Sequence, residues 1–479
     1  MKKILIANRG EIALRILRAV QEQGLIAVGV YETPDKEARH IRAADEAIWI
    51  GEGPRKDYLN IDKMIWAARK AGADGIHPGY GFLAENPDFP KACEDAGLIF
   101  IGPPAKVIHA LGNKVIARTI AESAGVPVIP GSENLPYGQE GEERALAFAR
   151  EHGFPLMLKA TAGGGGRGIR KVNNAKELID QMPLARAEAK AAFNDARLYL
   201  EKGVINPKHI EVQVLADSFG HIIHMGTRDC SIQRRNQKLV EIAPALIPDQ
   251  TLLDNICTAA IKVAQEANYV NAGTVEFLVD EGGHFYFLEM NTRLQVEHTV
   301  TEMVTGMDIV RAQIDIAAGK KLKFSQEDVH IRGHAIEMRI NAEDPKNNFL
   351  PEGGRTITVY NSPGGAGIRL DGIAYQGYVI PQVYDSLLVK LTVHGFTWKE
   401  AVERMRRALK GFAIVGPRTT IPFYLNIVNE PDFQKGIFNT SYLDLHPNLF
   451  EYKEGDREVA KLARLIATIH HKGFNPFAA

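Results

Sequence analysis

Two acidic residues, Glu276 and Glu289, occupy positions that can bring their carboxylates face to face. Residues 274–280 and 285–291 are β-branched and aromatic, which predicts two strands. Gly282-Gly283 between them suits a two-residue primed turn. In a hairpin closed that way Glu276 lies opposite Glu289 in a non-hydrogen-bonded pair, with Cβ atoms about 4.5–5.5 Å apart. Facing carboxylates repel unless one is protonated or a cation lies between them. Asn291 falls on the same face, and Arg293 follows if the strand continues. Such an oxygen-rich cleft suits a hard divalent ion, Mg²⁺ or Mn²⁺. A one-residue slip in register would instead send the glutamates to opposite faces, in solvent.

The segment after the second strand adds to this chemistry. Asn291-Thr292-Arg293-Leu294-Gln295-Val296-Glu297-His298 sets a guanidinium, an amide and a further carboxylate beside the inferred ion. Arginine suits a planar oxyanion, and Glu297 could act as a general base. Arg339 lies on a further predicted strand and could supply another cation, although a structural ion pair is its commoner use. The run from Asp229 to Lys238 is dense in amide and basic donors in a chain of net charge −1, which fits an oxyanion or phosphate. Between two strand-like runs lies Thr161-Ala162-Gly163-Gly164-Gly165-Gly166-Arg167-Gly168, preceded by Lys159. Successive glycines let backbone N–H groups approach a polyanion, but no Gly-Lys-Ser/Thr follows, so this is not a P-loop. Glu201-Lys202-Gly203-Val204 could offer backbone groups to an adenine edge.

The elements that must carry these residues follow from periodicity. A short apolar strand at 3–7, a helix from the Asn8-Arg9-Gly10-Glu11 turn to Gln23 and a strand at 26–30 make a βαβ opening. They predict a doubly wound α/β domain to about residue 112. The single glycine in the first turn is no dinucleotide fingerprint. Residues 77–86 read as an ordered loop at the carboxyl end of a strand, where open α/β sheets place ligands. A helix is expected from Lys114 to Gly125, a smaller α/β unit from about 154 to 205, and a mixed region from about 206 to 445. A last amphipathic helix is expected around Val459, Leu462, Ile466 and Ile469.

With 479 residues, 45% hydrophobic and 24% charged, the chain has the make-up of a soluble enzyme of two or three domains. Its near-zero net charge argues against nucleic acid and against electrostatic membrane attachment. Cys93, Cys230 and Cys257 are too few and scattered for a disulfide framework or a zinc site. The first apolar stretch is too short for a signal peptide, and a cytoplasmic location is expected.

Taken together, these segments resemble the biotin carboxylase family of the ATP-grasp superfamily, to about residue 445. The likeness is carried by Asn8-Arg9-Gly10-Glu11-Ile12-Ala13, residues 77–86, the glycine loop, and residues 233–238, 289–298 and 337–345. It implies an α/β ATP-grasp fold with a Rossmann-like N-terminal domain over 1–112 and an ATP-grasp domain over 113–330. A mobile glycine-loop lid would lie at about 131–205, a biotin carboxylase C-terminal domain over 331–445 and a helical tail over 446–479.

The resemblance further implies that ATP and bicarbonate carboxylate biotin through carboxyphosphate. Lys114, Lys159, Gly165, Gly166, Glu201, Lys202, Gly203, Val204, His209, Gln233, Asn236 and Leu278 match nucleotide-binding positions. Glu276, Glu289 and Asn291 match metal ligands. Lys238, Arg293, Gln295 and Val296 match the bicarbonate and carboxyphosphate site, Glu297 the base, and Arg339 the group that stabilises the biotin enolate. Asn236 stands where many relatives carry His, and Ala162 where some carry Gly. No Ala-Met-Lys-Met motif occurs, so biotin is expected on a separate carrier protein. The tail favours a pyruvate carboxylase subunit over an acyl-CoA carboxylase subunit. A homodimer is expected, with Arg18, Glu22 and Arg369 at its contact.

Overall fold

The structure, a computed structural model, describes residues 1–162 and 168–451. Gly165 and Gly166, with the rest of the glycine-loop tip, lie outside the described residues, as does the expected helix around Val459 to Ile469. Three sheets organise the chain. The first is parallel, with strands in the order Glu46–Gly51, Ile26–Glu32, Lys3–Ile6, Gly75–His77, Ile99–Phe100. Its direction of growth reverses beside Lys3–Ile6, and the Asn8 turn and the 77–86 loop both leave the carboxyl ends of the strands there. Asn8 ties the two together, donating from Nδ2 to the carbonyls of Pro78 at 2.7 Å and Tyr80 at 2.8 Å.

The second sheet is an antiparallel set of eight strands. It runs Phe285–Asn291, Asn271–Val279, Lys208–Ala216, Ile222–Arg234, Gln237–Ala243, His334–Asn341, Leu387–Gly395, Ile368–Gly372. It is continuous across residue 330, because Gln237–Ala243 pairs directly with His334–Asn341. A third sheet of three strands, Ile169–Val172, Leu156–Ala160 and Leu198–Lys202, packs with helices Gln139–His152 and Ala175–Phe193 around its own apolar core. Helix Lys114–Ser123 starts where Asn113 accepts from the backbone N–H groups of Val115 and Ile116, an N-cap that holds Lys114 in the first turn. No described helix is long and apolar enough to cross a membrane.

Candidate active site

Strand Lys208–Ala216 alternates strictly. Ile210, Val212, Val214 and Ala216 enter an apolar core with Val275, Phe277 and Val279. His209, Glu211 and Gln213 emerge on the opposite face, yet all three are buried. A buried polar face needs partners, and register supplies them. Glu211 pairs with Arg228 on one side and Glu276 on the other, and Glu276 pairs with Glu289. Three carboxylates and one guanidinium therefore line up across four strands.

The hairpin that places Glu289 is not closed as its glycines suggest. Instead of a two-residue turn, a three-residue loop of Glu281, Gly282 and Gly283 is closed by Asp280 N–H to His284 C=O at 2.9 Å, with Gly283 at φ +81°. Left-handed backbone at the third loop position is the signature of the three-residue hairpin with a bulge. This register sets Phe277 against Phe287 and Val279 against Phe285. An irregularity at Leu288 then shifts the pairing by one, so that Glu276 does face Glu289. The shift decides the chemistry. Phe285, Phe287 and Met290 pack on the core, whereas unbroken alternation would have sent Glu289 inward with the two phenylalanines.

Lys238 neutralises the row. Its Nζ lies 2.6 Å from Glu211, 2.8 Å from Glu276 and 2.9 Å from Glu297. It is delivered by a hairpin whose turn residues Arg235 and Asn236 both have positive φ, 49° and 63°, which sets Gln233 directly across from Lys238. Gln233 in turn donates to His209 Nδ1 at 2.8 Å, and His209 Nε2 lies 2.7 Å from Glu276. Burial would lift the carboxyl groups, but charge outweighs it. Arg228 and Lys238 bring Glu211 down to about 2, and Lys238 with Arg339 brings Glu297 to about 2. Lys238 and His209 hold Glu276 lower still. Burial would pull the Lys238 ammonium down, and its three carboxylates instead push it well up. Arg228 is fully buried, and all five of its N–H donors are used, on Glu211, Gln213, Thr301, Thr274 and Gln295.

The turn after Asn291 closes over this face. Gln295 Nε2 and Asn291 Nδ2 each donate to Glu276 Oε1 at 2.7 Å. Arg293 NH2 reaches Asn291 Oδ1 at 3.0 Å, and its Nε meets Glu85 of the 77–86 loop at 2.9 Å. Arg339 NH2 lies 3.1 Å from Glu297, and the same guanidinium is clamped by the buried Glu241 at 2.5 Å.

A cleft of about 1110 Å³ opens between the three-stranded unit and the edge of the large sheet. Lys114, Lys159, Tyr199, Glu201, Leu288 and Glu289 are among the residues that line it. Lys159 and Glu201, on adjacent strands of the three-stranded sheet, pair along one wall of it. Lys202 is turned elsewhere, its Nζ donating to the Phe154 carbonyl at 3.0 Å, and the Gly203 N–H is bonded to Pro155. Leu278 sits beside His209 on the neighbouring strand. The expected charged residues thus divide, with Lys114, Lys159, Glu201 and Glu289 around the cleft, Lys202 turned away, and the rest in the Lys238 network. Glu211, Arg228 and Glu241 were not anticipated. Their only signal is a charge inside a strand-like run, lone for Glu211 and Glu241 and next to Asp229 for Arg228.

Glu276, Glu289 and Asn291 offer the hard oxygen donors that Mg²⁺ or Mn²⁺ takes. Burial, and then the like charge of Glu276, push the Glu289 carboxyl up, with Lys114 opposing. A dication would relieve that repulsion, so the donor set fits. His209, Glu211 and Glu276 also gather their ligand atoms within 4.8 Å, but the Lys238 ammonium already bridges Glu211 and Glu276.

Comparison with known proteins defines the class. The biotin carboxylase N-terminal domain family matches residues 1–108 and the biotin carboxylase C-terminal domain family 337–445. Between them, the ATP-binding domain of the carbamoyl-phosphate synthase L chain matches residues 113–325. Among relatives, a biotin carboxylase of Nostoc sp. is 52% identical over 92% of this chain and 98% of its own. A pyruvate carboxylase subunit of Methanothermobacter thermautotrophicus is 48% identical over 96% of this chain and 92% of its own. Among solved structures, the biotin carboxylase domain dimer of Hydrogenobacter thermophilus 2-oxoglutarate carboxylase, in complex with MgADP, ADP and bicarbonate, is 50% identical with a TM-score of 0.90. It aligns over 95% of this chain and 99% of that one. The chain belongs to the biotin carboxylase family.

Proposed function

We propose that this chain is the biotin carboxylase subunit of a multi-subunit carboxylase, using ATP and bicarbonate to carboxylate biotin on a separate carrier protein. The observation that carries this reading is the 293–297 turn, which brings Glu297 between Lys238 and Arg339 beside a cleft lined by lysines and Glu289. The bound MgADP and bicarbonate of the Hydrogenobacter relative support it.

In this reading Lys114, Lys159 and Glu201 hold the nucleotide, and the Glu201 to Val204 segment meets the adenine. Glu276, Glu289 and Asn291 would hold Mg²⁺ or Mn²⁺, which neutralises charge developing on the phosphates. Arg293, Gln295 and Val296 hold bicarbonate. Glu297 takes the bicarbonate proton, the freed oxygen attacks the γ-phosphorus, ADP leaves, and carboxyphosphate then breaks to CO₂ and phosphate beside biotin. Without substrate, Lys238 and then Arg339 hold the Glu297 carboxyl down against the burial that would raise it. Bicarbonate bound beside these two cations would share them with Glu297 and so raise its carboxyl.

ATP cleavage measured with Mg²⁺, with and without bicarbonate and free biotin, tests the assignment. Turnover should require bicarbonate, rise with biotin and fall by about 10³-fold or more in Glu297→Ala. ADP release indifferent to both additions would remove the assignment. For the final acceptor we favour pyruvate, on the likeness to the Methanothermobacter pyruvate carboxylase. Reconstitution with carrier subunits specific for pyruvate, 2-oxoglutarate or acetyl-CoA distinguishes the possibilities.

A further inference from the structure

Lys390 is the one charged residue between Leu387 and Val393, a stretch that is otherwise apolar apart from Thr392, and it is fully buried. It stands directly across from Arg339 in the sheet, so both side chains leave on the same face. Arg339 holds the side chain of Glu297. Lys390 holds the backbone beside it, donating from Nζ to the Val296 carbonyl at 2.8 Å. Its ammonium is fixed from behind by Glu11 Oε1 at 3.2 Å, and Glu11 also accepts from the Tyr80 hydroxyl. Glu11 is itself buried, and its Oε2 has no hydrogen-bond partner. Glu11 of the first helix and Tyr80 of the 77–86 loop thus converge on one ammonium.

Among the described residues, Glu11 is the one carboxylate within ion-pair distance of this buried lysine, with Asp371 across the sheet and Glu337 acting from farther off. Such an ammonium is a costly way to fill space. Its cost is understandable if the ammonium sets the height of a peptide plane. We propose that Lys390, backed by Glu11, is a positioning residue that fixes the 295–297 backbone, and with it the anion-holding turn and the reach of Glu297. The kinetic part rests on the biotin carboxylase reading, and the structural part does not.

The test uses the full chain and three proteins: wild type, Lys390→Met, and Lys390→Met combined with Glu11→Gln. The single variant strands the buried Glu11 charge and should lower Tm. The double variant removes both charges and should regain most of that loss. Hydrogen exchange of the 293–298 amides should be at least 10-fold faster than wild type in both. In bicarbonate-dependent ATP cleavage, the KM for bicarbonate should rise about 10-fold in both, with the KM for MgATP within two-fold of wild type. If the double variant recovers Tm together with wild-type exchange and bicarbonate KM, Lys390 only balances a buried charge and the proposal is overturned. If wild-type ATP cleavage ignores bicarbonate, the functional reading fails, while the exchange data still decide the positioning role.

Discussion

Arg228 shows how much a single buried residue can be asked to hold. It joins Glu211, Gln213, Thr274, Gln295 and Thr301, side chains drawn from two neighbouring strands, the 293–297 turn and the helix after it. Its replacement by Met should cost roughly 3–5 kcal/mol, because Glu211 would lose a charge partner in the interior. Adding Glu211→Gln should recover part of that cost, which thermal unfolding of both variants would show. Acid should reveal the same pair. Glu211 is lowered from 4.5 to about 2 in the folded chain, so its contribution is fully present above pH 4.5 and drains away as pH falls toward 2. Wild type should therefore lose Tm steeply between pH 5 and roughly 2.5. Glu211→Gln should start lower at pH 7 but fall less over that range. Neither residue could be picked from sequence. A charged side chain in a strand pattern reads as facing outward, and only the pairing of four strands makes it interior.

At the level of elements, the Glu276–Glu289 hairpin was legible in its outcome and not in its construction. Its strands are plain from β-branched and aromatic residues, and the facing glutamates follow from either register. The three-residue loop and the shift at Leu288 are two departures of one residue that cancel. Nothing local distinguishes Gly282-Gly283 as a two-residue turn from Gly283 as the left-handed third residue of a longer loop. The distinction comes from packing, since Phe277, Phe285 and Phe287 share one core. Gly283→Ala tests the loop. The position has open space around it, with Leu252 the nearest atom at 3.7 Å, so the penalty is backbone strain alone, about 1 kcal/mol. Amides across 277–287 should exchange roughly five-fold faster, with the KM for MgATP unchanged within two-fold. The Gln233–Lys238 hairpin was harder to foresee. Arg-Asn is an unusual pair for a turn that needs positive φ twice, and its density of donors hid the strand pairing.

Across the whole molecule, the N-terminal parallel sheet was readable from periodicity, whereas the eight-stranded sheet and the bonds between the sheets were not. Glu85 reaches Arg293 across 208 positions, and Arg15 reaches Glu302 across 287. Arg369, expected at a dimer contact, is tied to Glu302 and Asp371 within the chain, whereas Arg18 and Glu22 are exposed on helix Gly10–Glu22. If that helix forms the dimer face, Arg18→Glu should move sedimentation from dimer toward monomer by at least 10-fold in Kd, with Tm nearly unchanged. Arg369→Glu should lower Tm as well, since it would set a third carboxylate beside two others.

The long reach of these bonds also orders events while the chain is being made. A nascent polypeptide that has emerged as far as Glu289 already contains every described residue that lines the cleft of about 1110 Å³. It lacks Arg339, whose guanidinium meets Glu297, and it lacks Lys390, which takes the Val296 carbonyl across 94 positions. The 293–297 turn is therefore finished only when synthesis has passed most of the sequence. On the proposed function, an unfinished chain would carry the residues assigned to ATP while still lacking the completed turn needed to spend it.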